Sequence, residues 1–247
     1  MPESTAKASI ENHRVRVGAQ RREKTRLRLL ETALPVFADK GSEGAVIEDF
    51  IAAAGLSRGT FYNHFRTTSE LLLALAGAMS DEVLHVVDPA VLQREDPVER
   101  FVTGTRLYMQ MAMRFPLWGR FITQVGTRIA TRGQLIDEYL SRDLGLAIAQ
   151  GRIHVDNVLV ARDIVLGSII YGIETMLTEP THDQHPEQML NIVLRGFGLP
   201  ADEARAIAYM PLPTLGPVAG PIFSTLKAAP AKRRRVKSGS TPPRPVR

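Results

Sequence analysis

The sequence predicts an all-α protein, and three observations carry that expectation. Apolar residues recur at three- and four-residue spacing along most of the chain, the period of a helix with one buried face. The interruptions fall at Pro89, Pro97, Pro116, Gly151, Pro180, Pro186 and Pro200, residue types that open or close helices. No stretch of useful length alternates apolar and polar residues, as a half-buried strand would. Helices are expected near residues 21–40, 46–53, 57–65, 68–87, 97–114, 117–130, 133–149, 157–178, 185–197 and 201–209. They group into a small N-terminal three-helix unit, 21–67, and a larger helical domain, 68–210. A basic arm, 1–20, and a Pro-rich linker with a basic tail, 211–247, flank them and are expected to be disordered.

The first helix contains Ala33, Leu34, Phe37 and Ala38 and runs to Gly41. Pro35 inside it removes a backbone donor and crowds the carbonyl four residues back, so a kink is expected near Glu31. The next two helices lie in VIEDFIAAAGLSRGTFYNHFRTTSEL, residues 46–71. Phe50, Ala53 and Ala54 fall at i, i+3 and i+4 and are expected to share one face. Phe61 and Phe65, four apart, are placed to pack against it, and the small alanines let the two helices cross closely. Gly55 supplies the left-handed backbone that ends a helix and begins a sharp turn. Ser57 is placed to cap the following helix. This is the layout of a helix-turn-helix, whose second helix enters the DNA major groove by its N-terminal end. An ordinary surface helix in a bundle is the alternative, and the alanines before the glycine, the serine cap and the aromatic pair together argue against it.

With Phe61 and Phe65 inward, the candidate DNA-binding residues are Ser57, Arg58, Gly59, Thr60, Tyr62, Asn63, His64, Arg66 and Thr68. Arg58 suits a guanine edge or a phosphate. Gly59 lets the backbone come close to the bases. Thr60 and Asn63 offer a hydroxyl and an amide to base edges, whereas Tyr62 and His64 suit phosphates, which fix register.

The run A-G-L-S-R-G-T-F-Y-N-H-F, residues 54–65, with Glu70-Leu71 after it and Ala33-Leu34, Phe37-Ala38 and Gly41 before it, resembles the DNA-binding domain of the tetracycline-repressor (TetR) family. The resemblance covers roughly residues 21–75 and is only architectural beyond them. It implies an all-helical homodimer with a larger C-terminal regulatory domain, repressing transcription until a small molecule enters that domain. There are three departures. Ala45 and Val46 stand where the family usually has a phosphate-touching Thr. Thr68 replaces a Lys that commonly opens the fourth helix, with Arg66 as the nearest substitute, and Ile51 replaces a small Ala.

In the C-terminal half, helix 157–178 is apolar around much of its circumference, with Val158, Leu159, Ile164, Val165, Leu166, Ile169, Ile170, Ile173 and Leu177. Such a helix must be covered on more than one side. Together with helix 185–197 it is the best candidate for a homodimer interface. Tyr108, Met111, Phe115, Trp118, Phe121, Gln124, Tyr139, Tyr171 and Glu174 are the candidate ligand-binding residues. They would form a site with adaptable apolar walls and few polar anchors, suited to an apolar or amphipathic effector such as an acyl chain or a flat aromatic. Residues of these types at helical spacing also make plain core.

The net charge of +5 conceals an asymmetry: residues 1–30 hold eight Lys/Arg and three acids, and 227–247 hold eight and none, which leaves 31–226 with 15 basic and 23 acidic residues. Basic ends strengthen binding to the phosphate backbone. Arg14 and Arg16 are placed to reach a minor groove, and the run Lys232 to Lys237, similar to a nuclear-localisation signal, is expected to add non-specific DNA contact. Cysteine is absent, which excludes disulfide and thiol chemistry. No apolar run is long enough to span a membrane, and the polar, basic N-terminus has no signal-peptide core, so a cytoplasmic, nucleoid-associated location is expected. His182 and His185 are the one close histidine pair and sit in a polar loop, so no metal site is expected. Neither a phosphate loop nor a nucleophile motif suggests an enzyme or a cofactor. The expected function is sequence-specific binding to double-stranded DNA, as a repressor released from a palindromic operator by a small ligand. The alternative is a regulator or nucleoid-associated protein without small-molecule input.

Overall fold

In the computed structural model, which describes residues 3–126, 128 and 134–226, the first helix, α1, runs Glu3–Gly44. Its backbone is helical from Glu3, where a disordered arm was expected up to residue 20. About half of residues 3–20 are Ala, Glu, Lys, Arg or Gln, good helix formers that carry no apolar stripe to reveal them. Pro35 lies on the exposed side of α1, where water can serve the carbonyl its ring frees. The torsions therefore stay helical past Glu31, and the departure falls at Gly41, with φ 71 and ψ 170.

Two short helices follow, α2 Ile47–Ala54 and α3 Arg58–Tyr62. Leu29, Ala33, Phe37, Phe50, Ala54, Phe61 and Phe65 form the buried centre of this unit, with the Phe37 and Phe50 rings 4.8 Å apart. Ala53 is exposed and does not share the buried face of Phe50. Ile47, Phe50, Ile51 and Ala54 follow i, i+3, i+4 and i+7 and turn residue 53 outward. The large Ile51 thus packs against the core where the family resemblance has a small Ala.

The larger unit comprises α4 Thr68–Val91, α5 Pro97–Arg114, α6 Pro116–Val125, α7 Leu135–Ala149, α8 Val158–Thr178, α9 His185–Gly196 and α10 Ala201–Ala208. Among the described residues there is no strand. The expected helix 117–130 ends at Val125, and residues 127 and 129–133 lie outside the described set. α4 continues past Pro89, which is exposed. Two helices join the units: α4 packs along α1, and Phe121 of α6 meets Phe37 at 5.9 Å beside a hydrogen bond from Gln124 Nε2 to Ser42 Oγ. On α8, Ala161, Val165, Ile169 and Ile173 face the core, whereas Val160, Ile164 and Tyr171 face outward.

The expected linker is instead a strap across the body. The Met210 and Pro211 carbonyls accept from Arg106 Nη1 (2.6 Å) and Arg94 Nη2 (2.9 Å), Leu212, Leu215 and Val218 are partly buried, and Ile222 and Phe223 are buried. These apolar residues are spaced irregularly among prolines, so no helical period marks them as core. Residues 227–247, including Lys232 to Lys237, lie outside the described residues. No helix among the described residues is long and apolar enough to cross a membrane.

Candidate nucleic-acid interface and regulatory cavity

Gly55 ends α2 in the left-handed region, at φ 60 and ψ 43, and the Leu56 N–H returns to the Ile51 carbonyl at 3.0 Å. Ser57 then caps α3: its Oγ accepts from the Thr60 N–H at 3.1 Å and lies 2.9 Å from Thr60 Oγ1. Phe61 is fully buried, 6.5 Å from the Phe50 ring and 6.1 Å from that of Phe65. With that side anchored, Ser57, Arg58, Gly59, Tyr62, Asn63 and Arg66 are exposed, and Thr60, His64 and Thr68 are partly so. α3 is shorter than expected. Asn63 closes it, and 64–66 form the link to α4, where the Glu70 N–H donates to Thr67 Oγ1 at 3.1 Å while the Glu70 carboxylate accepts from the Arg66 N–H at 2.5 Å. The Thr67 cap, one half of a capping box, was signalled by Thr67 and Glu70, three apart, and sequence reasoning missed it.

The surface around α3 is cationic and shaped. A concave strip is lined by Arg22, Arg26, Tyr62, Asn63, His64 and Arg66, with Glu70 as its one acid. Arg22 Nη2 donates to the Asn63 carbonyl at 3.2 Å, and the Arg26 guanidinium stands 5.8 Å over the Phe65 ring. Arg22 and Arg26, one helical turn apart, were legible only as part of a basic run and were not singled out as site residues. Partial burial, and then the nearby Arg22 and Arg26 charges, hold the His64 pKa below the ordinary histidine value. Arg58 Nη1 pairs with Glu48 Oε1 at 2.8 Å on the open surface. At the start of α2, where Ala45 and Val46 offer no hydroxyl, Asp49 reaches back: its Oδ2 accepts the Val46 N–H at 3.1 Å, and Lys40 Nζ lies 2.5 Å from its Oδ1. Those two donors, Lys40 first, hold the Asp49 carboxyl below its ordinary pKa.

A cavity of about 50 Å³ lies between α4, α5, α7 and α8, with Leu84, Val87, Phe101, Ile136, Tyr139, Asp88 and Asp143 among the residues that line it. At about 10–15 Å³ per water position it holds a few waters, so a ring-sized guest must move side chains. Arg142 ties the two carboxylates, 2.8 Å from Asp88 Oδ1 and 2.9 Å from Asp143 Oδ1, and its guanidinium sits 5.2 Å over the Tyr139 ring. Tyr108 also lines the cavity. Its hydroxyl is 2.8 Å from Ser80 Oγ, and burial raises its pKa, so it stays protonated.

Of the nine expected ligand residues, only Tyr108 and Tyr139 line this space. Met111 lines a separate groove under the strap, Phe115 and Trp118 pack on Phe223, and Phe121 packs on Phe37. Gln124 and Glu174 border an open surface groove, and Tyr171 is 78% exposed. The reason lies in α8: a helix apolar nearly all round does not reveal which side is interior, and positions 171 and 174 are on the outer one.

Residues 29–75 match bacterial regulatory proteins of the tetR family, and residues 96–210 match the tetracyclin repressor-like C-terminal domain. The chain is 30% identical to RolR, solved in complex with its ligand resorcinol, across 80% of this chain and 100% of that one, with a TM-score of 0.69. The chain belongs to the TetR family. A TetR-family regulator from Pectobacterium atrosepticum is 25% identical, over 72% of this chain and 96% of that one, with a TM-score of 0.56. The HTH-type transcriptional regulator CymR of Pseudomonas putida is 46% identical over 59 residues, which span 24% of this chain and 29% of CymR. As a TetR-family member the protein is a DNA-binding transcriptional regulator and not an enzyme.

Gly59 is informative about α3 as the candidate reading helix. A Cβ there would meet no protein atom closer than Ser57 Oγ, at 3.9 Å, so the fold does not require glycine, and alanine would favour the helix by up to about 1 kcal/mol. Gly59→Ala is expected to keep or raise Tm while weakening binding to the target duplex about tenfold. Thermal melts beside fluorescence anisotropy check it; a variant that binds as the parent does removes Gly59 from the interface.

Proposed function

We propose that the protein is a homodimeric repressor that holds a palindromic operator with two α3 helices and lets go when a small apolar or amphipathic molecule enters the cavity between α4, α5, α7 and α8. One observation carries this reading. α4 begins at Thr68, directly after the DNA-facing loop, and its far end supplies Leu84, Val87, Asp88 and Val91 to the cavity wall. A ligand that favours one arrangement of α4 over the other shifts the DNA-competent population by its differential affinity and no more. The outward apolar row Val160, Ile164 and Tyr171 on α8, with Ile192 of α9, supports the dimer. RolR binds resorcinol, and a dihydroxybenzene suits apolar walls with Asp88 and Asp143 as acceptors.

The test uses a labelled operator recovered by genome-wide footprinting. Millimolar resorcinol is expected to weaken binding by about 5- to 150-fold, the usual range of such coupling. Asp143→Asn and Tyr139→Phe should keep operator affinity and lose the response. An unchanged response in both variants would remove the cavity from the mechanism.

A further inference from the structure

The strap places an aromatic ring and a carboxylate partner in an arrangement that the reading above does not use. Phe223 is 2% exposed, its ring edge-on to Phe115 at 4.7 Å and to Trp118 at 5.4 Å. Its backbone N–H donates to Glu82 Oε2 at 2.7 Å, and that of Ile222 donates to Oε1 at 3.1 Å. Gly220 lies so close that a Cβ there would overlap the Glu82 carboxyl. Trp118 Nε1 is buried without a hydrogen-bond partner among the described residues. Glu82, Phe115 and Trp118 do not line the cavity beside Tyr139, so this is a second seat in the regulatory domain.

From nitrogen to ring, the seated part of Phe223 is N–Cα–Cβ–phenyl, the skeleton of a 2-arylethylamine. We propose that Glu82, Phe115 and Trp118 form a binding site for arylethylamines, and that the strap is its built-in occupant, displaced when the free amine enters. The ammonium replaces two neutral amide donors at Glu82 with a cation carrying three donors, which gives an ion pair with charge-assisted hydrogen bonds. The ring takes the edge-to-face contacts that Phe223 now makes. The strap competes through its tether, which holds Phe223 at an effective concentration in the millimolar range. The parent protein is therefore expected to bind the amine only at comparable concentration.

The experiment compares 2-phenylethylamine with neutral ethylbenzene on the full chain. Hydrogen-exchange mass spectrometry of the parent protein should show the Ile222 and Phe223 amides exchanging about tenfold faster or more in millimolar amine, with no change in ethylbenzene. Unchanged or slowed exchange at those amides would overturn the proposal without any variant having to fold. By calorimetry, Phe223→Ala should bind the amine about tenfold more tightly than the parent, and adding Glu82→Gln should remove that gain. Equal affinity of Phe223→Ala and parent, or a gain that survives Glu82→Gln, would also overturn it. Operator release by resorcinol enters none of these measurements, so the two readings fail separately.

Discussion

Arg58→Ala combined with Tyr62→Ala is expected to abolish sequence-specific DNA binding and to leave the proposed dimer intact. Both side chains are exposed on the outer side of α3, and the Arg58–Glu48 pair lies on the surface with both partners more than half exposed. Exposed pairs of that kind contribute little to stability. Phe61, which anchors α3, is untouched, so Tm should stay near that of the parent. A lost bidentate base contact costs about 1–3 kcal/mol, and a symmetric site loses it twice. With the Tyr62 contact gone as well, the drop in affinity should be about a thousandfold or more, down to the level of a scrambled duplex. Anisotropy on operator and scrambled duplexes at one salt concentration measures the ratio, and light scattering reports the oligomer. A preserved ratio would mean that another surface reads the sequence.

The second large effect is expected from Ile164→Glu with Ile192→Glu. The two side chains are 44% and 70% exposed on the outer faces of α8 and α9, and Tyr171 of α8 is 78% exposed. A row of large apolar side chains left in water marks an association surface. Glutamates there cost the single chain little, because neither position packs in its core. In a dimer they would bring like charges into a dry interface. Analytical ultracentrifugation at micromolar concentration should show a monomer. Operator affinity should fall by about a hundredfold or more, because each reading unit then binds its half-site without the advantage of linkage. A dimer that survives both charges would place the interface elsewhere.

What could be read in advance depended on how local the signal was. The turn at Gly55, the cap at Ser57 and the anchor at Phe61 are each settled by chemistry within a few residues, and the structure has all three as expected. Ala53 went wrong because three apolar positions fit two overlapping helical faces, and the partner helix α1 selects the one containing Ile47 and Ile51. Tyr171 and Glu174 could not be assigned to a side of α8, since its composition differs little around the circumference. The strap was hidden for another reason. Its buried residues depend on Arg94, Arg106 and Glu82, more than 100 positions away, and no periodicity records such pairings. The nearby Thr67–Glu70 cap, by contrast, was legible and overlooked.

The 24-residue length of α4 has a mechanical consequence. At about 1.5 Å per residue it is a lever of about 36 Å, with the cavity at one end and the candidate reading head at the other. A tilt of about 5° displaces the tip of such a lever by about 3 Å, and in the proposed dimer two levers moving apart would change the separation of the heads by about 6 Å. Successive major grooves on one side of a duplex repeat every 34–36 Å or so, so a change of that size is about a sixth of the repeat. In the proposed dimer, a guest that rotates the base by only a few degrees would therefore unseat the pair.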